Sequence, residues 1–133
     1  MNRMDEKGLT PITVEVPAHT INMSIVRTVA AAVAARVDLT VDQIEDVRLA
    51  IDESMAHLIK HSSDGAVVRC ELSAHDSTFA ATLRCPSPSS ETPEPEQFSW
   101  TVLTALVGPV EVTLADGELQ MHWTVVREHS VTA

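Results

Sequence analysis

Between Ile12 and Ala18 apolar and polar side chains alternate in the run ITVEVPA, the two-residue period of a strand with one face turned inward. From Asn22 the period lengthens. Met23, Val26, Ala30, Val33, Ala34 and Val37 recur on one face of a helix that runs through an alanine-rich segment and ends near Arg36-Val37-Asp38. A second helix is predicted after Leu39, with Thr40 as N-cap and Gln43 placed to close a capping box. Its inner stripe reads Ile44, Val47, Ile51, Met55 and Leu58, and it persists to about His61, where SSDG stops it.

After Gly65 the period returns to two. AVVRCEL and TFAATLRC flank SAHDS, which predicts an antiparallel hairpin. A turn centred near Asp76 sets Cys70 opposite about Thr82, away from Cys85, so no cross-strand disulfide is expected. Residues 86–97, PSPSSETPEPEQ, hold four of the seven prolines and no large apolar side chain, and read as a long exposed loop. A short helix follows over 98–108, with Ser99 able to cap it and Gly108-Pro109 ending it. Asp116-Gly117 then joins two alternating runs into a hairpin, with Leu119, Met121, Trp123 and Val125 on one face of the last strand.

Strands and helices are segregated along the chain rather than alternating, which predicts an α+β two-layer sandwich: a mostly antiparallel sheet with helices on one face. One domain spans 11–127, with polar tails at 1–10 and 128–133. A chain of 133 residues, 44% hydrophobic and with a mean hydropathy of +0.06, has the composition of a globular protein able to bury a core. No run reaches the roughly 18 apolar residues of a membrane span, and MNRMDEKGLTPIT lacks the apolar centre of a secretory signal. A cytoplasmic protein with no membrane role is the expectation. The formal charge of −10 repels a phosphate backbone, so nucleic acid is not expected as a partner, and a protein with a basic surface is favoured. Cys70 and Cys85 lack CxxC spacing and read as reduced, semi-buried core groups.

The candidate chemistry lies in LAIDESMAHLIKHS, residues 49–62, where Glu53, His57 and His61 follow one another at steps of four. On a helix they form one stripe: a metal site, an acid–base site, or a solvated face. No HExxH motif or further ligand cluster accompanies them, and no metal is expected. Asp52 and Glu53 diverge by about 100° on a helix and cannot act as a facing carboxylate pair. Glu91, Glu94 and Glu96 read as charges that keep the loop solvated.

The element order and three segments resemble the anti-sigma-factor serine kinases (RsbW-like regulators) of the histidine-kinase-like ATPase fold. SIVRTVAAAVAARVD is similar to that family's first helix, with its arginine at Arg27; IEDVRLAIDESMAHLIKH is similar to the second; FSWTVLTALVGPVEV resembles a segment of actinobacterial members. In the family the second helix carries a catalytic glutamate, then an asparagine that holds Mg²⁺, then a histidine, at steps of four. The resemblance places these roles at Glu53, His57 and His61. The middle one is a departure, since imidazole nitrogen is a poor ligand for a cation that wants oxygen. The family's Asp-x-Gly-x-Gly run corresponds to RCPSPSS, and its phosphate-binding glycines correspond to Ser99, Trp100 and Thr101. With only Gly8, Gly65, Gly108 and Gly117 in the chain, no glycine-rich phosphate loop can form.

The resemblance therefore implies a decayed nucleotide pocket walled by His57, Ser99, Trp100 and Thr101, with Glu53 retained at the base position but inactive. No ATP or Mg²⁺ cofactor is expected. It implies an anti-sigma factor that sequesters an alternative sigma factor, is countered by a STAS-type anti-anti-sigma antagonist, and forms a homodimer. Arg27 is the implied partner contact, expected to lie on the surface and to matter little for stability. An active Mg-ATP-dependent serine kinase is the alternative. In the resembling kinases residues 86–97 would be the lid over ATP; here they are expected to stay mobile, with Phe98 or Trp100 packed near Glu53 and His57.

Overall fold

The computed structural model describes residues 10–94 and 97–128, the side chains of Gln97 and Phe98 excepted. The expected tails fall almost wholly outside these residues, as does the side chain of Phe98. Strand β1 (Ile12–Pro17) leads through a single 3-10 turn into helix α1 (Met23–Ala34), and helix α2 (Val41–Lys60) follows. Strands β2 (Val67–His75) and β3 (Thr78–Pro86) come next, then helix α3 (Gln97–Val107), then strands β4 (Glu111–Ala115) and β5 (Glu118–Val126). The five strands form one antiparallel sheet in the order β1-β2-β3-β5-β4, and all three helices pack on its inner face. This is the expected α+β sandwich.

Helix α2 starts where its signals put it. The Thr40 hydroxyl accepts from the Gln43 amide and the Gln43 side chain accepts from the Thr40 amide, both at 3.1 Å. Gln43 does more than cap. It is buried, donates to the Val126 carbonyl at 2.8 Å and accepts from the Glu128 amide at 3.2 Å, so one side chain ties the helix start to the end of β5. Val47, Ile51, Met55 and Leu58 are fully buried, while Ile44 is only half-buried at the helix start. Lower on the same face, buried Trp123 donates its indole N–H to the Ser54 hydroxyl at 3.0 Å.

Helix α1 buries Val26, Ala30, Val33 and Ala34, then tightens into a 3-10 turn that ends at Asp38 in the left-handed conformation (φ 55°). The stretch Thr20–Val37 is, among the described residues, the one long and apolar enough by length and composition to cross a bilayer. It carries Arg27 and Arg36, and its apolar side faces the sheet core.

Three local expectations are corrected. The β2–β3 turn centres between Asp76 and Ser77, both left-handed (φ 51° and 61°), so Cys70 pairs with Leu83 rather than Thr82. A two-residue turn with both residues at positive φ matches the strand twist, and that sets the register. Helix α3 begins at Gln97, which places Ser99 inside its first turn and not at the cap. The proline-rich loop is shorter than 86–97: Pro86 ends β3 opposite Glu118, and buried Ser87 donates its amide to the Gly117 carbonyl at 2.8 Å. Gly108 ends α3 at φ 78° by donating to Thr104, as the Gly-Pro signal requires.

Cys70 and Cys85 are free and buried on the sheet's inner face. Burial, with a smaller effect from Cys85, pushes the Cys70 thiol from 9.0 up to about 12. Burial, with help from Glu118, pushes Cys85 up to about 11. A thiol raised in the folded state keeps its proton while the unfolded chain loses its own, so rising pH favours unfolding. Stability will hold up to about pH 9 and fall toward pH 11–12, and Cys70→Ala/Cys85→Ala will flatten that decline in urea titrations. Both thiols will resist a thiol reagent at pH 8 in the native protein and react on unfolding, which titration of released chromophore reads directly. Ser54→Ala leaves the Trp123 N–H buried without an acceptor and will cost about 1–3 kcal/mol by urea denaturation. An unchanged midpoint would mean that this bond does not hold α2 to β5.

Candidate functional site

Two places on the helical layer concentrate polar chemistry. One is a concavity of about 180 Å³ beside α2, lined by Glu53, Ala56, His57, Lys60 and His61 from the helix, Glu94 from the loop and Ser99 from α3. The helix brings its stripe together as the four-residue spacing requires. His57 and His61 meet edge to face, with ring centroids 4.9 Å apart. Among the described residues no group of three or more His, Cys, Asp or Glu side chains is arranged to hold a metal ion.

Of the residues assigned to a nucleotide pocket, the structure gathers Glu53, His57 and Ser99 around this concavity. Trp100 and Thr101 do not line it. Trp100 is half-buried against the core, its carbonyl accepting from Thr104 at 2.9 Å, and Thr101 is exposed. The helical phase of α3 explains this: successive residues turn by about 100°, so Ser99 can face α2 only if its neighbours do not. Lys60 and Glu94 were missed. Lys60 was legible in principle, lying seven residues from Glu53 and so nearly in line with it on the helix, whereas Glu94 is brought in by the loop path alone.

The second place is the seam between α1 and α2. Arg27 donates from Nη1 to Asp52 Oδ2 at 2.7 Å, with side chains 36% and 22% exposed. Asp52 Oδ1 is buried and has no hydrogen-bond partner among the described residues. Arg27 is partly exposed, and its pairing with Asp52 was not foreseen. It is one half of an interhelical ion pair, and a carboxylate in its place would face Asp52 directly. Exposed Leu49 lies one turn before Asp52 on α2, and exposed Ile21 and Ile25 lie at the start of α1.

The outer face of the sheet is polar and internally paired. Arg84 reaches Glu71 at 2.8 Å, Arg69 lies between Glu15 and Glu71 at 3.8 and 3.9 Å, and Thr82 meets His122 at 2.8 Å. A wider hollow of about 270 Å³ lies between the end of α3 and strands β4 and β5, against Val107, Pro109 and His122. It gathers none of the candidate site residues named from the sequence.

Residues 16–100 match the histidine kinase-like ATPase domain family. The chain is 30% identical over 112 residues to the anti-sigma-F factor RsbW of Mycobacterium tuberculosis, in both strain CDC 1551 and strain H37Rv. That match takes in 84% of this chain and 66% of those relatives' length. In three dimensions the chain is similar to a crystal structure of RsbU and RsbW domains from the same organism, with a TM-score of 0.63 at 18% identity. The likeness covers 90% of this chain and 34% of that one, and at that identity it speaks for the fold alone.

Proposed function

The chain belongs to the histidine kinase-like ATPase domain family, and from that premise we propose that it is an anti-sigma factor acting by protein–protein binding. It holds an alternative sigma factor away from RNA polymerase and yields it to a STAS-type antagonist. A homodimer in the cytoplasm is part of the same reading. The observation that carries it is the 30% identity to an anti-sigma-F factor over most of the chain.

Catalysis with Mg-ATP fits this chain poorly. The position that would bind Mg²⁺ is His57, whose imidazole lies against His61. The concavity is smaller than the roughly 300–1,000 Å³ typical of small-molecule sites, and Glu53 and Glu94 on its walls oppose the attraction that Lys60 offers a phosphate. Gly65, Gly108 and Gly117 each serve a turn or a helix end, so none supplies backbone amides to this site. A fold can keep its shape after such a site is lost, because the core under α2 does not depend on the polar stripe above it.

Binding explains what remains. The Arg27–Asp52 seam offers a charged anchor with exposed leucine nearby, the composition of an interface centre. The net charge of −10 draws in a partner with a basic, nucleic-acid-facing surface from a distance, while the seam supplies local contacts.

Purified sigma factors of the source organism, titrated one by one, will include one that binds with a dissociation constant of about 1 μM or tighter. Calorimetry with Mg-ATP will show no saturable heat at micromolar nucleotide. A panel without any binder would remove the anti-sigma reading. Micromolar Mg-ATP affinity with phosphate transfer to the antagonist would replace it with the serine kinase.

A further inference from the structure

We propose that Asp52 is the positioning residue of the sigma-docking surface: it fixes the Arg27 guanidinium along the α1–α2 seam so that its remaining donors meet a carboxylate on a partner helix. This rests on the anti-sigma reading above and adds a residue that it does not assign.

A guanidinium has five N–H donors in a rigid fork. Among the described residues, the one hydrogen bond that Arg27 makes is from Nη1 to Asp52 Oδ2, and the side chain stays 36% exposed. The rest of the fork is held in place and left unengaged. An arginine immobilised before binding loses less side-chain entropy when a partner arrives.

Asp52 cannot readily be displaced from this arrangement. Its Oδ1 is already buried without a partner among the described residues, so drawing Arg27 away would leave a largely buried carboxylate with nothing to offset its desolvation. A partner carboxylate therefore joins Arg27 beside Asp52 and does not replace it.

The surroundings admit a helix. Spacings of three and four put Ser24, Arg27 and Ala31 on one face of α1, and Leu49, Asp52 and Ala56 on one face of α2. The ion pair joins these two faces. Ser24 and Ala56 are small and Ala31 is largely buried, while Arg48 and Leu49 flank Asp52 one turn before it. A partner backbone can therefore approach over the small residues, with the longer side chains at its edge. Exclusion of water strengthens a charge-assisted hydrogen bond that water would screen.

The test uses the full chain and each sigma factor of the source organism as separate purified probes. Against the sigma factor that binds, Arg27→Ala will weaken affinity at least about tenfold. Asp52→Asn, which keeps the shape and removes the charge, will weaken it about five- to tenfold, mainly through faster dissociation. Its melting temperature will stay close to the wild type, and Asp52→Glu will restore part of the affinity. The double variant Arg27→Ala/Asp52→Ala will bind no more weakly than Arg27→Ala alone, because Asp52 acts through the arginine. Wild-type affinity in Asp52→Asn, or a double variant whose losses add in full, would overturn the proposal while leaving the anti-sigma reading intact. If Asp52→Asn fails to fold, Asp52→Glu and Arg27→Lys keep the charges and carry the same comparison: a Lys variant that binds as tightly as wild type would also overturn it. Absence of any sigma-factor binding to the wild type would remove both.

Discussion

One face of α2, laid along the inner side of the sheet, organises the molecule. Val47, Ile51, Met55 and Leu58 supply the apolar contact, and two polar links fix its position at separate heights. Gln43 holds the helix start to the end of β5, and Ser54 accepts from Trp123 further along. Apolar burial is non-directional and would tolerate rotation or sliding of the helix. A buried amide and a buried hydroxyl with specific partners do not, since either slip leaves donors without acceptors.

With α2 so fixed, its other two faces acquire meaning. One side meets α1, and there Asp52 reaches Arg27. The other side meets α3 and the loop, and there Glu53, His57 and His61 form a small polar wall. Asp52 and Glu53 are adjacent in sequence, yet they serve different sides of the helix because one residue is about 100° of rotation. The arrangement puts the sharper feature on the first side, where a charged pair is half-exposed beside small side chains.

The proposed sigma sequestration needs a surface rather than a cleft, and the Arg27–Asp52 seam offers one. Among the described residues the glycines sit at turns and a helix end, and Ser99, Trp100 and Thr101 lie within the regular turns of α3. Trp100 contributes apolar packing to the core from that position.

Much of the fold was legible because it rests on local rules. The periods of two and of 3.6, the Thr40–Gln43 capping box, the Asp116-Gly117 hairpin and the Gly108 stop each depend on residues a few positions apart, and each appears where the pattern put it. The four-residue stripe of Glu53, His57 and His61 was legible for the same reason. Local rules failed where two elements had to meet. The register that pairs Cys70 with Leu83 depended on both Asp76 and Ser77 turning left-handed, and the pattern of flanking apolar residues does not reveal it. The Arg27–Asp52 pair links residues 25 positions apart, and Gln43 meets Val126 across 83. The sequence by itself determined which elements form and which face of each is apolar, since those follow from side-chain chemistry at short range. Only the tertiary structure decided which polar residues become partners, because that depends on how helices rotate and settle once their apolar faces are buried together.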